Sequence, residues 1–100
     1  MMISQNATPY NLLSAAQAER LAVLIEECGE VIKAASKVLR HGYYDAGYNN
    51  RAHLEAELGD VLYALELMVA DGDLSEAEIN AKLDANMVAK AAGNKYLHHN

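Results

Sequence analysis

Glu27 and Glu30 stand three residues apart in the stretch Ile25-Glu26-Glu27-Cys28-Gly29-Glu30-Val31, and Glu57 and Asp60 repeat that spacing further along the chain. On a helix, side chains three apart point the same way. Two such helices packed antiparallel would bring four carboxylates together, and four partly desolvated anions repel one another. A hard divalent cation relieves that repulsion. An all-oxygen ligand set favours Mg²⁺, with Mn²⁺ able to substitute, over Zn²⁺.

The helical wheel separates these residues from ordinary acidic ones. With Leu21 at zero and about 100° per residue, Glu27 and Glu30 fall at roughly 180° to 240°, on an arc shared with Val23, Ala34 and, nearby, Val38. Glu26, Lys33, Lys37 and Arg40 form an adjacent polar strip. In the second stretch Glu57 and Asp60 lie beside Ala64, Leu67 and Met68, whereas Glu55 and Glu66 lie on the polar side. A solvated glutamate should look like Glu55 or Glu66. Most helical glutamates are solvated, and a single E-x-x-E carries no weight. Two displaced pairs on successive helices are a stronger signal, but periodicity alone leaves both readings open.

The elements that must position these groups are helical. Ser14-Ala-Ala-Gln17 is a capping-box pattern. After it Leu21, Leu24, Ile25, Cys28, Ile32, Ala35 and Leu39 recur at helical spacing, and this apolar arc is expected to face the core. The helix should run to about Arg40 and end at His41-Gly42. The segment from Gly42 to Asn50 reads as a loop. Asn50 is expected to cap a second helix with the stripe Leu54, Leu58, Val61, Leu65 and Met68, stopped by Asp71-Gly72-Asp73. Ser75-Glu-Ala-Glu78 is a second capping box, opening a third helix that carries Ile79, Leu83 and Met87 and ends near Gly93. Residues 1–13 read as a loose arm with a short turn after Pro9.

Composition agrees with an all-α fold in one domain spanning residues 1–100. Of the 100 residues 52% are apolar, with no Phe, no Trp and one Pro, which suits helices and not a many-turned β protein. The net charge of −6 supplies no general field for nucleic acid or an anionic membrane. A phosphate ligand would therefore need local cations or a metal. No apolar run is long enough to span a membrane and the polar stretch Met1 to Tyr10 does not resemble a signal peptide, so the expected location is the cytoplasm. Cys28, the lone cysteine, reads as a reduced core thiol. Three helices with wide apolar faces make a marginal monomer. Self-association to a dimer or tetramer would complete a helical bundle.

The pattern Glu26-Glu27-x-x-Glu30, followed by Glu57-x-x-Asp60, resembles the E-E-x-x-E…E-x-x-D signature of the MazG-like all-α nucleotide pyrophosphohydrolases. The run Glu-Val-Ile-Lys-Ala-Ala-Ser-Lys of 30–37, Leu39-Arg40-His41-Gly42 and Glu57-Leu-Gly-Asp60-Val-Leu extend the likeness. It covers roughly residues 19–92 and is most similar to small single-domain phage members. The resemblance implies Glu27, Glu30, Glu57 and Asp60 as Mg²⁺ ligands. It implies Glu26, with Glu27 and Glu30, at the catalytic centre, where Glu26 would orient or deprotonate the attacking water. The implied reaction is hydrolysis of a (deoxy)nucleoside triphosphate to the monophosphate and pyrophosphate.

Lys33, Lys37 and Arg40 are then candidates for phosphate contact. Their alternative role is as solvated cations paired with Glu26 or Glu30. Asn86 and Lys90 resemble residues near the nucleotide in relatives, though a plain helix surface explains them equally well. Tyr43, Tyr44, Tyr48 and Tyr63 offer rings for stacking on a base or for ordinary packing. His98 and His99 read as tail residues. Phage relatives called MazZ cut dGTP, which makes dGTP the first substrate expectation. Phosphoribosyl-ATP hydrolysis is the rival reaction, but Val61-Leu62-Tyr63-Ala64 stands where that branch has Tyr-His. A non-enzymatic helical interaction module would explain the charge but not the paired carboxylates. The segment from Val31 to Ala56 is longer than in compact relatives, so the 41–50 loop is expected to form a lid or reach a neighbouring subunit.

Overall fold

A computed structural model of the chain describes residues 11–91. Three helices carry the architecture, α1 (Ala15–His41), α2 (Asn50–Ala70) and α3 (Glu76–Ala91). The expected capping box opens α1. The Ser14 hydroxyl accepts from the Gln17 amide at 3.0 Å and the Gln17 side chain accepts from the Ser14 amide at 2.9 Å. Gly42 ends the helix at φ 85°, a left-handed conformation that glycine adopts without a Cβ penalty.

The segment between α1 and α2 is not a plain loop. Tyr44–Asp45 (β1) pairs antiparallel with Tyr48–Asn49 (β2) in a small hairpin. Its two turn residues, Ala46 and Gly47, both have positive φ, 48° and 85°, as the twist of a two-residue hairpin turn demands. Sequence reading misses it because Ala46 is not a residue that signals such a turn.

Asn49, rather than Asn50, caps α2, and its side chain accepts from the Ala52 amide at 2.9 Å. Asn50 is instead buried, and its Nδ2 donates to the Gly42 carbonyl at 2.9 Å. That bond fastens the start of α2 to the end of α1. Asn50→Ala removes this donor, an expected cost of about 0.5–1.5 kcal/mol, to be read as a lower urea midpoint at unchanged slope.

Helices α1 and α2 pack antiparallel along their length. The α1 face that meets α2 is Leu24, Glu27, Val31, Ala34 and Val38, and α2 answers with Leu54, Glu57, Val61, Ala64 and Met68. Steps of three and four residues alternate along both faces, the knobs-into-holes spacing of paired helices. This overturns the expected core arc of α1. Ile25 is 71% exposed, Ile32 67% and Leu39 89%, and Cys28 is exposed, not a core thiol. The arc holding Glu27 is the packed one, because the partner helix lies on that side and nothing among the described residues covers the other.

At the far end of the pair Arg20 grips the turn after α2. Its Nη2 donates to Asp73 Oδ1 at 3.0 Å, its Nε to Oδ2, and Asp71 lies 3.5 Å from Nη1. The Arg20 hydrogen bond holds the Asp73 carboxyl below the usual carboxylate range. Helix α3 begins as expected, with Ser75 Oγ accepting from the Glu78 amide at 3.2 Å, and packs only weakly on the pair. Leu83 and Met87 stay exposed. The expected end near Gly93, the arm before residue 11 and His98 and His99 lie outside the described residues. No described helix is long and apolar enough to cross a membrane.

Candidate metal and phosphate site

The seam between α1 and α2 carries its charge in mid-length. Glu27 and Glu57 occupy positions where an apolar side chain would ordinarily interlock, and both are half-buried. Asp60 sits one turn beyond Glu57 at the rim and is exposed. Each of the three offers an oxygen within 4.8 Å of the others. Burial pushes the Glu27 carboxyl above its usual range, and the charges of Asp60, Glu26, Glu57 and Glu30 add to the effect.

This group fits a small divalent cation. All its donors are carboxylate oxygens, the preferred ligands of Mg²⁺, and its excess negative charge lacks a Lys or Arg partner among the described residues. Oxygens around Mg²⁺ stand at most about 4.2 Å apart, twice the bond length. The observed spread therefore needs only a small side-chain adjustment to close. Glu30 is exposed on α1 and outside the trio, yet near enough to raise the Glu27 pKa. Glu26 is likewise exposed and acts on Glu27 through its charge.

The expected phosphate contacts fall into two groups. Lys33, Lys37 and Arg40 are exposed along α1 towards the hairpin, and the Lys37 ammonium lies over the Tyr48 ring, 5.8 Å from its centre. Asn86 and Lys90 are exposed on α3 and not brought onto the α1–α2 pair by close packing. Tyr43, Tyr44, Tyr48 and Tyr63 are all more than half exposed.

One neighbour escaped the sequence reading. His53 Nε2 lies 3.3 Å from Glu57 Oε1, and the four-residue spacing between them was visible in the sequence. Gly29 and Gly59 lie inside the acidic motifs without being held there by close packing. A Cβ on Gly29 or Gly59 would meet nothing within 4 Å. Two cavities between the helices, about 110 and 240 Å³, lie at the Arg20 end and are not lined by the trio. The carboxylates therefore open onto a surface, where a ligand as large as a triphosphate can approach.

An all-α pair of helices presenting acidic groups from both partners is the class of domain that this fold and site define. A family model described as the MazG nucleotide pyrophosphohydrolase domain matches residues 16–99, and the chain belongs to that family. No curated protein and no solved structure matches it.

Proposed function

We propose that the protein hydrolyses a (deoxy)nucleoside triphosphate between the α- and β-phosphates, giving the monophosphate and pyrophosphate. The observation that carries this reading is the convergence of Glu27, Glu57 and Asp60 from two helices inside a matched pyrophosphohydrolase domain. Glu27, Glu57 and Asp60 hold Mg²⁺, joined by Glu30 from the next turn of α1. When bound, the cation polarises phosphoryl oxygens, lowers the pKa of water and offsets charge on the leaving pyrophosphate. Glu26 takes the proton of the water that attacks the α-phosphorus. Lys33, Lys37 and Arg40 neutralise the phosphate chain, and Asn86 and Lys90 complete the nucleotide site from α3. Exposed Tyr43, Tyr44 and Tyr48 on the hairpin give the base a flat apolar surface.

Self-association belongs to this proposal. Ile25, Ile32 and Leu39 on α1, Leu62 and Tyr63 on α2 and Leu83 and Met87 on α3 are all more than half exposed, and contiguous apolar faces of that kind mark interaction surfaces. A second copy covers them by the same helix packing that joins α1 to α2, and brings an α3 within reach of the carboxylates.

The first substrate to try is dGTP, a choice that rests on the likeness to small phage members. Incubation with each dNTP and NTP and Mg²⁺ is expected to yield monophosphate and pyrophosphate in equal amounts. Orthophosphate as the product would place the cut at another bond. No turnover of any of them would remove the proposal, and turnover of phosphoribosyl-ATP alone would replace it.

A further inference from the structure

Beside the carboxylate trio stands one imidazole that the acidic motif does not include. His53 lies one turn before Glu57 on α2, and its Nε2 is 3.3 Å from Glu57 Oε1. The Glu57 side chain is 17% exposed, against 65% for Glu55 on the outer side of the same helix. Glu57 is thus confined between the seam and the ring. The imidazole stands against Oε1, one of the two carboxylate oxygens.

That one-sided contact has a chemical consequence. Mg²⁺ demands near-ideal octahedral geometry at about 2.1 Å and takes one oxygen from each carboxylate. Ca²⁺ is larger, accepts more ligands and readily takes both oxygens of one carboxylate. A carboxylate with one oxygen engaged is suited to the first ion and handicapped with the second. Outer partners that fix ligating side chains commonly change metal affinity about 10–100-fold.

We infer that His53 is a positioning residue that presents Glu57 as a single-oxygen ligand and so favours Mg²⁺ over Ca²⁺ at this site. The inference rests on the metal reading proposed above. Either tautomer or charge state with a proton on Nε2 can fill the role, so it does not depend on the ring's ionisation.

The test is calorimetric titration of the full chain with Mg²⁺ and, separately, Ca²⁺, without nucleotide. His53→Ala is expected to weaken Mg²⁺ binding about 10-fold or more and Ca²⁺ binding much less, lowering the Mg²⁺/Ca²⁺ preference. His53→Gln keeps an N–H donor within reach of Glu57 and is expected to restore that preference. His53 is half-exposed, and both replacements are good helix formers, so circular dichroism should show an unchanged fold. Equal weakening of both ions by His53→Ala, unchanged Mg²⁺ affinity, or a glutamine variant as impaired as the alanine one would overturn the inference while leaving the metal site standing. Tighter Mg²⁺ binding by His53→Ala would also overturn it, because the ring would then compete with the cation. A wild-type chain that binds neither ion would overturn the metal reading and this inference together.

Discussion

Glu27→Gln is expected to lower triphosphate turnover more than about 100-fold, since even partners one step removed from a metal cost up to that much, and yet to raise the melting temperature of the metal-free protein. Both effects come from one placement. Glu27 sits in the helix seam, where burial and four neighbouring carboxylates disfavour its charge. Its folded-state pKa is raised above the unfolded value, so the folded protein holds this proton more tightly. Stability therefore falls as pH rises from the usual glutamate range through the raised value, and the penalty persists at neutral pH. Asp73 has the opposite sign. The Arg20 hydrogen bond depresses its pKa, so its contribution is present above the usual aspartate range and is lost as pH falls through the lowered value. Melting curves across acid and neutral pH should show the first decline in wild type and not in Glu27→Gln. Mg²⁺ should abolish it in wild type and leave the variant unmoved. A variant that melts lower than wild type without metal would show that the Glu27 charge is not strained.

Met68→Ala is expected to be the most damaging single truncation, at about 2–5 kcal/mol. Met68 is 2% exposed, and the only other buried apolar residues among those described are Ala34 and Ala64. Two alanines cannot close over the space that a methionine leaves. A loss of that size is a large fraction of the roughly 5–15 kcal/mol that holds a typical domain. Urea unfolding should register it as a lowered midpoint. If a second copy covers the exposed helix faces, the midpoints of wild type and variant will both rise with protein concentration, as linkage requires. A midpoint shift equivalent to less than about 1 kcal/mol would mean that the α1–α2 seam is not the core.

Helix limits were legible because their signals are local. Ser14 with Gln17, Gly42 and Ser75 fix the ends by bonds within a few residues; the first two act as read, and Ser75 supplies one of the two bonds of its expected capping box. The choice of packed face was not legible in α1. Its sequence offers a richer apolar arc through Ile25, Ile32 and Leu39 than the one that meets α2, and hydrophobicity alone cannot tell a core arc from one left for a partner. Of the acidic residues, Glu27, Glu57 and Asp60 come together because the seam runs through the arc they share. Glu30 lies roughly 60° further round α1, at three residues of about 100° each, which is enough to leave it outside the trio. The hairpin and Asn50 depend on contacts between separate segments. An asparagine next to another asparagine does not announce which one caps the helix and which one turns inward.

Two side-chain links at the ends of the α1–α2 pair differ in how much chain they enclose. Asn50 to Gly42 closes eight residues and Arg20 to Asp73 closes 53. Closure entropy grows with enclosed length, but only slowly once the ends are already aligned by shorter links. The pair is therefore closed at both ends, by a short link at the hairpin and a long one at Arg20, with the carboxylates between them. Arg20 thus ties the turn that leads into α3 back to the start of α1, at the end where Met68 is buried.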